Sequence, residues 1–543
     1  MYSNKENVNI LTSLLVEHGV RRAVVCPGSR NAAIVHNLNE CPQITCYPVT
    51  DERSASFYAL GMCLAEDSPV VICVTSGTAL LNVLPAVAEA FYQNQPLIVV
   101  SADRPEAFIG QLEGQTLPQV GALGSFVRAT VNLKEPQNAV EKWHCNRLVN
   151  EALCACRRQG GGPVHLNVPL DEPLFNFNVP SLPEERAIKL LKSRVSHEAI
   201  MLLSARLKAA KRPMIVVGQL TDMALNTADI NALSQHILVI SEPLCRAYRG
   251  AIALEKALKM VGFSSEYMPD FILYAGGTLV SKRLKLFLQK TRNAETWTVD
   301  AGGEAHDTFR NLRQIIEGLP ADVFHELAKV ATGKPTPFLR LWRNLLEKAA
   351  LHTRQFRPPY SQMLAVKRFE ELAEPDAIRH YANSMSVRLG GLFAAKAFYC
   401  NRGVNGIEGS LSTAAGHSVA TEKRVYCIIG DLSFFYDQNA LWSQNITSNL
   451  RILLLNNGGG VIFRKLKGLG NSPAAGKLVA AEHKTTAQGI CLENDIVYLS
   501  ARNEDEMEVG FQQLISTEVE RPVLLEVFTN PEEDQQVLDE YFS

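Results

Sequence analysis

Short apolar runs recur along the chain, each closed by small or polar residues. Arg22–Val25 stops at Cys26-Pro27-Gly28-Ser29-Arg30-Asn31, and Ile44–Pro48 at Val49-Thr50-Asp51-Glu52-Arg53. Val70–Val74 stops at Thr75-Ser76-Gly77-Thr78-Ala79, and Leu97–Val100 at Ser101-Ala102-Asp103-Arg104-Pro105. Unbroken runs of this length predict buried parallel strands. Residues 9–20 and 54–65, and the stretch with Leu80, Leu84, Val87 and Phe91, carry helical spacing. Strands alternating with helices predict a doubly wound α/β domain.

The pattern appears twice more. Met214–Val217, Ile237–Ile240, Phe271–Ala275 and Thr296–Val299 form a second set of strands. Ala377–His380, Val425–Ile429, Ile452–Leu455 and Val523–Phe528 form a third. Residues 175–196 hold Pro180 and Pro183 in a charged stretch, and 351–360 hold Pro358 and Pro359; both read as linkers. The expected plan is three doubly wound α/β domains, over 1–180, 197–345 and 355–543. A chain of 543 residues suits about three domains of roughly 150 residues each.

Composition narrows the class. A formal charge of −2 with 20 % charged residues shows no face built for nucleic acid or an anionic membrane. No apolar run approaches the roughly 20 residues that cross a bilayer. The start, MYSNKENVNILTSLL, lacks the basic head and apolar core of a signal peptide, so a cytoplasmic protein is expected. The 12 cysteines form no CxxC pair, and most lie in apolar runs such as Cys73 and Cys427. They read as buried free thiols, with no support for a zinc site.

Candidate chemistry gathers at the ends of the apolar runs. Val425–Ile429 stops at Gly430-Asp431, and Ile452–Leu455 at Asn456-Asn457 followed by Gly458, Gly459 and Gly460. A strand, a helical crossover and a strand would bring both ends to the ligand-binding edge of a parallel sheet. A carboxylate, an amide oxygen and a loop carbonyl are hard oxygen donors that suit Mg²⁺. The glycines let the backbone approach a phosphate closely. Ser29 and Arg30 stand at a predicted helix start, which attracts anions. Gly276-Gly277 leads into Lys282-Arg283 without a GxGxxG fingerprint, which argues against a nicotinamide dehydrogenase.

The Asp431 and Asn456-Asn457 pair resembles the diphosphate–metal motif of thiamine diphosphate enzymes, in which Gly-Asp-Gly precedes Asn-Asn. Here Leu432 replaces the third residue of that motif. CPGSRN, TDERSA, TSGTA, SADRP, NRGVNGIEG and GDLSFFYD occur in the order of the thiamine diphosphate-dependent decarboxylase-like family, over essentially the full length. Together they are similar to one branch of it, to which Gly-Asp-Leu also belongs.

The resemblance implies pyrimidine-binding (1–180), central (197–345) and diphosphate-binding (355–543) domains. It implies decarboxylation of 2-oxoglutarate and addition of the resulting succinyl carbanion to isochorismate. The product would be 2-succinyl-5-enolpyruvyl-6-hydroxy-3-cyclohexene-1-carboxylate, in menaquinone biosynthesis. The cofactors would be thiamine diphosphate and Mg²⁺, with Mn²⁺ open.

Glu52 would be the catalytic acid facing the cofactor's pyrimidine. Asp431, Asn457 (or its neighbour Asn456) and the Gly459 carbonyl would bind the metal. Thr78, Ser384, Ile407, Leu432, Ser433, Val461 and Ile462 would contact cofactor, with Ile407 as an apolar wedge. Arg30, Arg104, Gln115 and Arg388 resemble positions for isochorismate, joined by Lys282 and Arg283. Ser384 and Arg402 resemble positions for 2-oxoglutarate, and Phe463 and Leu466 would wall the pocket. Both substrates are small dicarboxylates, which suits a set of arginines. The family further implies a homo-oligomer, at least a dimer and expected to be a tetramer.

Another 2-oxoacid decarboxylase or an acetolactate synthase-like carboligase is the alternative, though it needs no such arginine set. A catalytically inactive member of the fold is disfavoured by the joint presence of Glu52, Asp431 and Asn457.

Overall fold

The apolar runs fold as strands of parallel sheets. A computed structural model describes residues 1–191, 195–221, 225–246, 248–250, 253–291, 293–331, 334–460, 463 and 468–543. The first sheet has six strands, in the order Thr45–Pro48, Arg22–Val25, Val70–Val74, Leu97–Asp103, Val164–Pro169 and Thr130–Asn132, all parallel. The second has five parallel strands, Leu238–Ser241, Pro213–Val217, Phe271–Ala275, Glu295–Asp300 and Leu312–Glu317. The third runs Ile378–Tyr381, Val425–Gly430, Leu450–Asn456, Val523–Phe528 and Val497–Ala501.

By compactness the described chain divides into two units. One holds Met1–Lys192 with Glu408–Glu422 and Asp437–Leu450; the other holds Ser193–Ile407, Lys423–Tyr436 and Arg451–Ser543.

In the first unit, one face of the sheet is covered by helices Glu6–Glu17, Ala32–Glu40 and Ala139–Ala155. Leu11, Leu15, Ile34, Leu38, Val149 and Leu153 are buried there with Ala23, Val71 and Ile98. Helix Glu52–Glu66 packs instead on helix Ser410–Val419. Glycines make the approach possible: a Cβ at Gly61 would meet the Thr413 carbonyl oxygen at 2.0 Å, and one at Gly416 the Tyr58 carbonyl oxygen at 2.1 Å. The expected linker at 175–196 contains a strand, Phe177–Val179, paired antiparallel with Tyr2–Ser3.

Two expectations are corrected. Helix Pro337–Gln355 runs through the expected end of the central domain at 345 and into the linker at 351–360. Its buried residues Phe338, Trp342, Leu345, Ala349 and Thr353 keep helical spacing to the last turn, so the polar tail LHTRQ continues the helix. The crossover from Gly430 to Leu450 is not one helix. It is a short helix, Asp431–Tyr436, then a 3-10 turn, Gln438–Leu441, then irregular chain. Asp437 breaks it, because its buried carboxylate accepts the Ser412 N–H and hydroxyl, both at 2.8 Å.

The described residues hold no disulfide, and of the twelve cysteines only Cys46 and Cys154 are not buried. Among the described residues no helix is long and apolar enough to cross a membrane. Nor does any group of three or more His, Cys, Asp and Glu there suit a metal.

Candidate active site

Strand ends place the first set of residues. In the first unit the carboxyl ends of Arg22–Val25, Thr45–Pro48, Val70–Val74 and Leu97–Asp103 lead into Arg30, Glu52, Thr78 and Arg104 at one edge of the sheet. Glu52 is the first residue of its helix, directly after the cap Asp51, and is half-buried. Its Oε2 accepts Asn82 Nδ2 at 3.3 Å. Arg30, 11 % exposed in its side chain, donates to the Leu170 carbonyl at 3.3 Å and pairs with Glu172 at 3.1 Å. Arg104 reaches the Gly114 carbonyl at 3.3 Å and holds the 110–119 loop to the strand. Gln115 is exposed at φ +55°, with its backbone against Gly77. Thr78 is exposed as well.

Beneath these residues lies a buried polar network. Gln119 accepts the Gly77 N–H at 2.7 Å and donates to Asn167 Oδ1 at 2.8 Å and the Ala102 carbonyl at 3.0 Å. Asn167 donates to Asp103 at 2.9 Å, and Ser101 Oγ lies 2.8 Å from His165 Nε2. Burial pushes the Asp103 carboxyl above its usual range, against the pull of Asn167, the Arg104 N–H and Arg30. Burial lowers His165 to about 4.

In the second unit, Asp431 ends one central strand and the asparagine pair ends the next. Asp431 is buried, and its Oδ2 accepts the N–H groups of Asn457 at 3.2 Å and Gly459 at 3.0 Å. Oδ1 accepts the Leu432 N–H at 2.6 Å. Burial raises the Asp431 carboxyl; the N–H groups of Leu432, Gly459 and Gly458, and His483, 3.5 Å from Oδ2, pull the other way.

The two asparagines differ. Asn456 is committed to the fold: its amide donates to Glu526 at 2.7 Å and the Thr485 carbonyl at 3.0 Å, and its oxygen accepts the Gly458 N–H at 3.0 Å. Asn457 uses Nδ2 on Asp534 at 3.0 Å, which leaves its oxygen for a ligand. Gly459, at φ +149°, admits no side chain, since a Cβ would lie 2.7 Å from the Ala480 carbonyl oxygen. A carboxylate, an amide oxygen and a backbone carbonyl therefore stand at one loop cluster, a donor set that fits a hard divalent cation.

The same unit gathers cations. Arg388, on helix Met385–Phe393, is lowered in pKa by desolvation first and then by Arg402, with Glu255 raising it and Arg283 lowering it. Its surface is nonetheless open to solvent. A side chain in an open-topped cleft has both properties. Arg402 donates to Asn383 Oδ1 at 3.2 Å, while its buried Nε has no hydrogen-bond partner among the described residues. Arg283 pairs with Glu255 at 2.9 Å and lies over the Phe542 ring. Lys282, beside it, is exposed. Ser384 precedes the Arg388 helix at φ +74°, a strained value for a residue with a side chain. Ile407 is exposed, and its carbonyl accepts the Ser433 hydroxyl. Phe463 is also exposed and folds back on Gly460; Val461, Ile462 and Leu466 lie outside the described residues.

Known proteins resemble this chain. Residues 6–122 match the family model of the thiamine pyrophosphate enzyme N-terminal TPP binding domain. A solved protein from Mycobacterium smegmatis, described as a thiamin diphosphate-dependent enzyme, superposes with a TM-score of 0.72 at 17 % identity, over 97 % of this chain and 100 % of its own. That likeness speaks for the fold. Relatives named 2-succinyl-5-enolpyruvyl-6-hydroxy-3-cyclohexene-1-carboxylate synthase are closer in sequence. Those of Phocaeicola vulgatus and Bacteroides thetaiotaomicron are 43 % and 42 % identical, each over 100 % of this chain and 99 % of the relative. The chain belongs to the 2-succinyl-5-enolpyruvyl-6-hydroxy-3-cyclohexene-1-carboxylate synthase family.

Synthases of this family are thiamine diphosphate-dependent enzymes, and the three-sheet α/β architecture agrees with that fold. Several residues that shape the site of this synthase are not evident from its sequence. Gln119 looks like any loop glutamine until its burial is known. His483 lies far along the chain from Asp431, and no spacing links them. Asn439, whose Nδ2 donates to Asp51 at 2.8 Å, sits in an ordinary-looking polar stretch. The one available signal was the string GDLSFFYDQN itself, which carries Asp431, Asp437 and Asn439 together.

Proposed function

We propose that this enzyme decarboxylates 2-oxoglutarate and adds the succinyl group to isochorismate, forming 2-succinyl-5-enolpyruvyl-6-hydroxy-3-cyclohexene-1-carboxylate for menaquinone biosynthesis in the cytoplasm. One observation carries the reading within the fold: Arg402 and Arg283 both bear electrostatically on Arg388, with Glu255 as the acid near it. Guanidinium groups that act on a shared neighbour favour anions among them, and dicarboxylate substrates supply that charge.

Thiamine diphosphate, when bound, supplies the carbanion chemistry that releases CO₂ from a 2-oxo acid and carries the remaining acyl group. Glu52 would face the cofactor's pyrimidine as the catalytic acid, with residues 1–180 serving that end. Asp431, the Asn457 oxygen and the Gly459 carbonyl would hold Mg²⁺ or Mn²⁺, with residues 355–543 serving the diphosphate. Thr78, Leu432, Ser433, Val461 and Ile462 would complete the cofactor contacts, and Ile407 would be the apolar wedge. Ser384 and Arg402 orient 2-oxoglutarate. Arg30, Arg104, Gln115 and Arg388, with Lys282 and Arg283, orient isochorismate. Phe463 and Leu466 exclude water from the reacting groups. The active unit is at least a dimer, with Glu52 and the Asp431 loop contributed by different protomers, and the expected assembly is a tetramer.

Purified protein given thiamine diphosphate, Mg²⁺, 2-oxoglutarate and isochorismate should release CO₂ and form the adduct together. Turnover of pyruvate without isochorismate would favour an acetolactate synthase-like carboligase or a simple decarboxylase instead.

A further inference from the structure

We propose that Asn439 is a positioning residue that fixes Glu52 through Asp51; this rests on the reading of Glu52 as the cofactor-facing acid. Asp51 caps the helix that begins at Glu52. Its Oδ1 accepts the N–H groups of Arg53 at 2.9 Å and Ser54 at 3.3 Å. Its Oδ2 accepts Asn439 Nδ2 at 2.8 Å. One carboxylate thus orders the first turn with one oxygen and is itself held by the other. Asn445 Nδ2 adds a bond to the Pro48 carbonyl at 2.8 Å, at the strand end before the cap. Tyr58 Oη donates to the Ala440 carbonyl at 3.3 Å, from the second turn of the helix.

The latch has a firm base. Asp437 is fully buried and bonded twice to Ser412, at the start of helix Ser410–Val419. That helix packs on Glu52–Glu66 through Gly61 and Gly416, where backbone meets backbone. The strand end, the cap and the helix body are thus each tied to Asp437–Asn445 or its support. Losing Asn439 leaves the Oδ1 cap intact. The helix should persist while the direction of its first residue loosens. A displacement of about 1 Å at a reacting group can cost on the order of a hundredfold in rate.

The test uses a residue exchange. Asn439→Asp sets two carboxylates against each other. Asp51→Asn keeps a good cap, because asparagine caps as well as aspartate, and it adds an N–H donor. The double variant therefore restores the bond with donor and acceptor reversed. Amide hydrogen exchange over residues 51–56 is measured in the cofactor-free protein, thiamine diphosphate affinity by calorimetry, and kcat and KM in the complete assay.

Asn439→Asp should speed exchange at Arg53 and Ser54 and lower kcat about tenfold or more, with each KM within about threefold of the parent. Adding Asp51→Asn should recover exchange protection and kcat together. Asn439→Ala, with no added charge, should show the same direction more weakly. Unchanged exchange and kcat in Asn439→Asp, or a loss that the double variant does not recover, overturns the proposal. Glu52→Gln is run alongside: parental turnover there removes the reading of Glu52, whereas an inactive Glu52→Gln beside an unaffected Asn439→Asp removes only the latch.

Discussion

The Asp431 carboxylate accepts the Gly459 N–H at 3.0 Å, which ties the end of one central strand to the glycine loop after the next. The acid and the loop carbonyl are thereby set side by side before any ligand arrives. Asp431→Asn would turn an N–H toward the N–H groups of Asn457 and Gly459, or lose a charged oxygen toward the metal. Its affinity for thiamine diphosphate with Mg²⁺ should fall at least about tenfold, while far-UV circular dichroism stays parental. Calorimetric titration checks this; parental affinity would count against Asp431 as a ligand.

Arg402 presents a buried Nε that no group among the described residues satisfies. Replacing it by lysine keeps the charge and removes the planar fork. The KM for 2-oxoglutarate should rise about tenfold in Arg402→Lys, with a smaller change in kcat. In the parent enzyme, kcat/KM should fall as ionic strength rises, because clustered cations attract anionic substrates through a field that salt screens. Steady-state rates across a salt series read both effects, and a flat series contradicts the second.

Buried His165 gives the fold a defined acid sensitivity. Its pKa is lowered from 6.5 to about 4 by burial, so between those values the folded chain binds fewer protons than the unfolded chain. Its contribution is fully present above pH 6.5 and is lost as pH falls toward 4. Asp437, raised to about 6 by burial, has the opposite slope, so the informative quantity is a difference between proteins. His165→Gln should lose less thermal stability than the parent between pH 7 and pH 4.5, measured by unfolding midpoint. Parallel curves would show that His165 does not titrate in this way.

Gly61 lies where two helices touch backbone to backbone. A methyl group there would sit 2.0 Å from the Thr413 carbonyl oxygen, a distance that forces the helices apart. Gly61→Ala should lower the unfolding midpoint by several degrees, against the slight gain expected of Gly→Ala in an open helix. A raised midpoint would contradict the packing.

Much of this was legible from residue order alone. Central strands such as Val70–Val74 and Val425–Gly430 are buried on both faces, so their apolar runs stand out and their ends fall at Gly, Asp or Ser. The candidate residues cluster at those ends for the same reason. Edge strands escaped: Leu312–Glu317 reads LRQIIE with only Ile316 buried, and Thr130–Asn132 has three residues. The broken crossover escaped because burial of Asp437 depends on Ser412, a partner that no local pattern reveals. The different bonding of Asn456, to Glu526 and Gly458, and of Asn457, to Asp534, is likewise invisible in the sequence, where the two are identical neighbours.

The most direct test of the central claim is Glu52→Gln, with cofactor binding and adduct formation measured on the same preparation. The account predicts thiamine diphosphate affinity near that of the parent and adduct formation slowed about a hundredfold or more. Parental turnover in Glu52→Gln would contradict it.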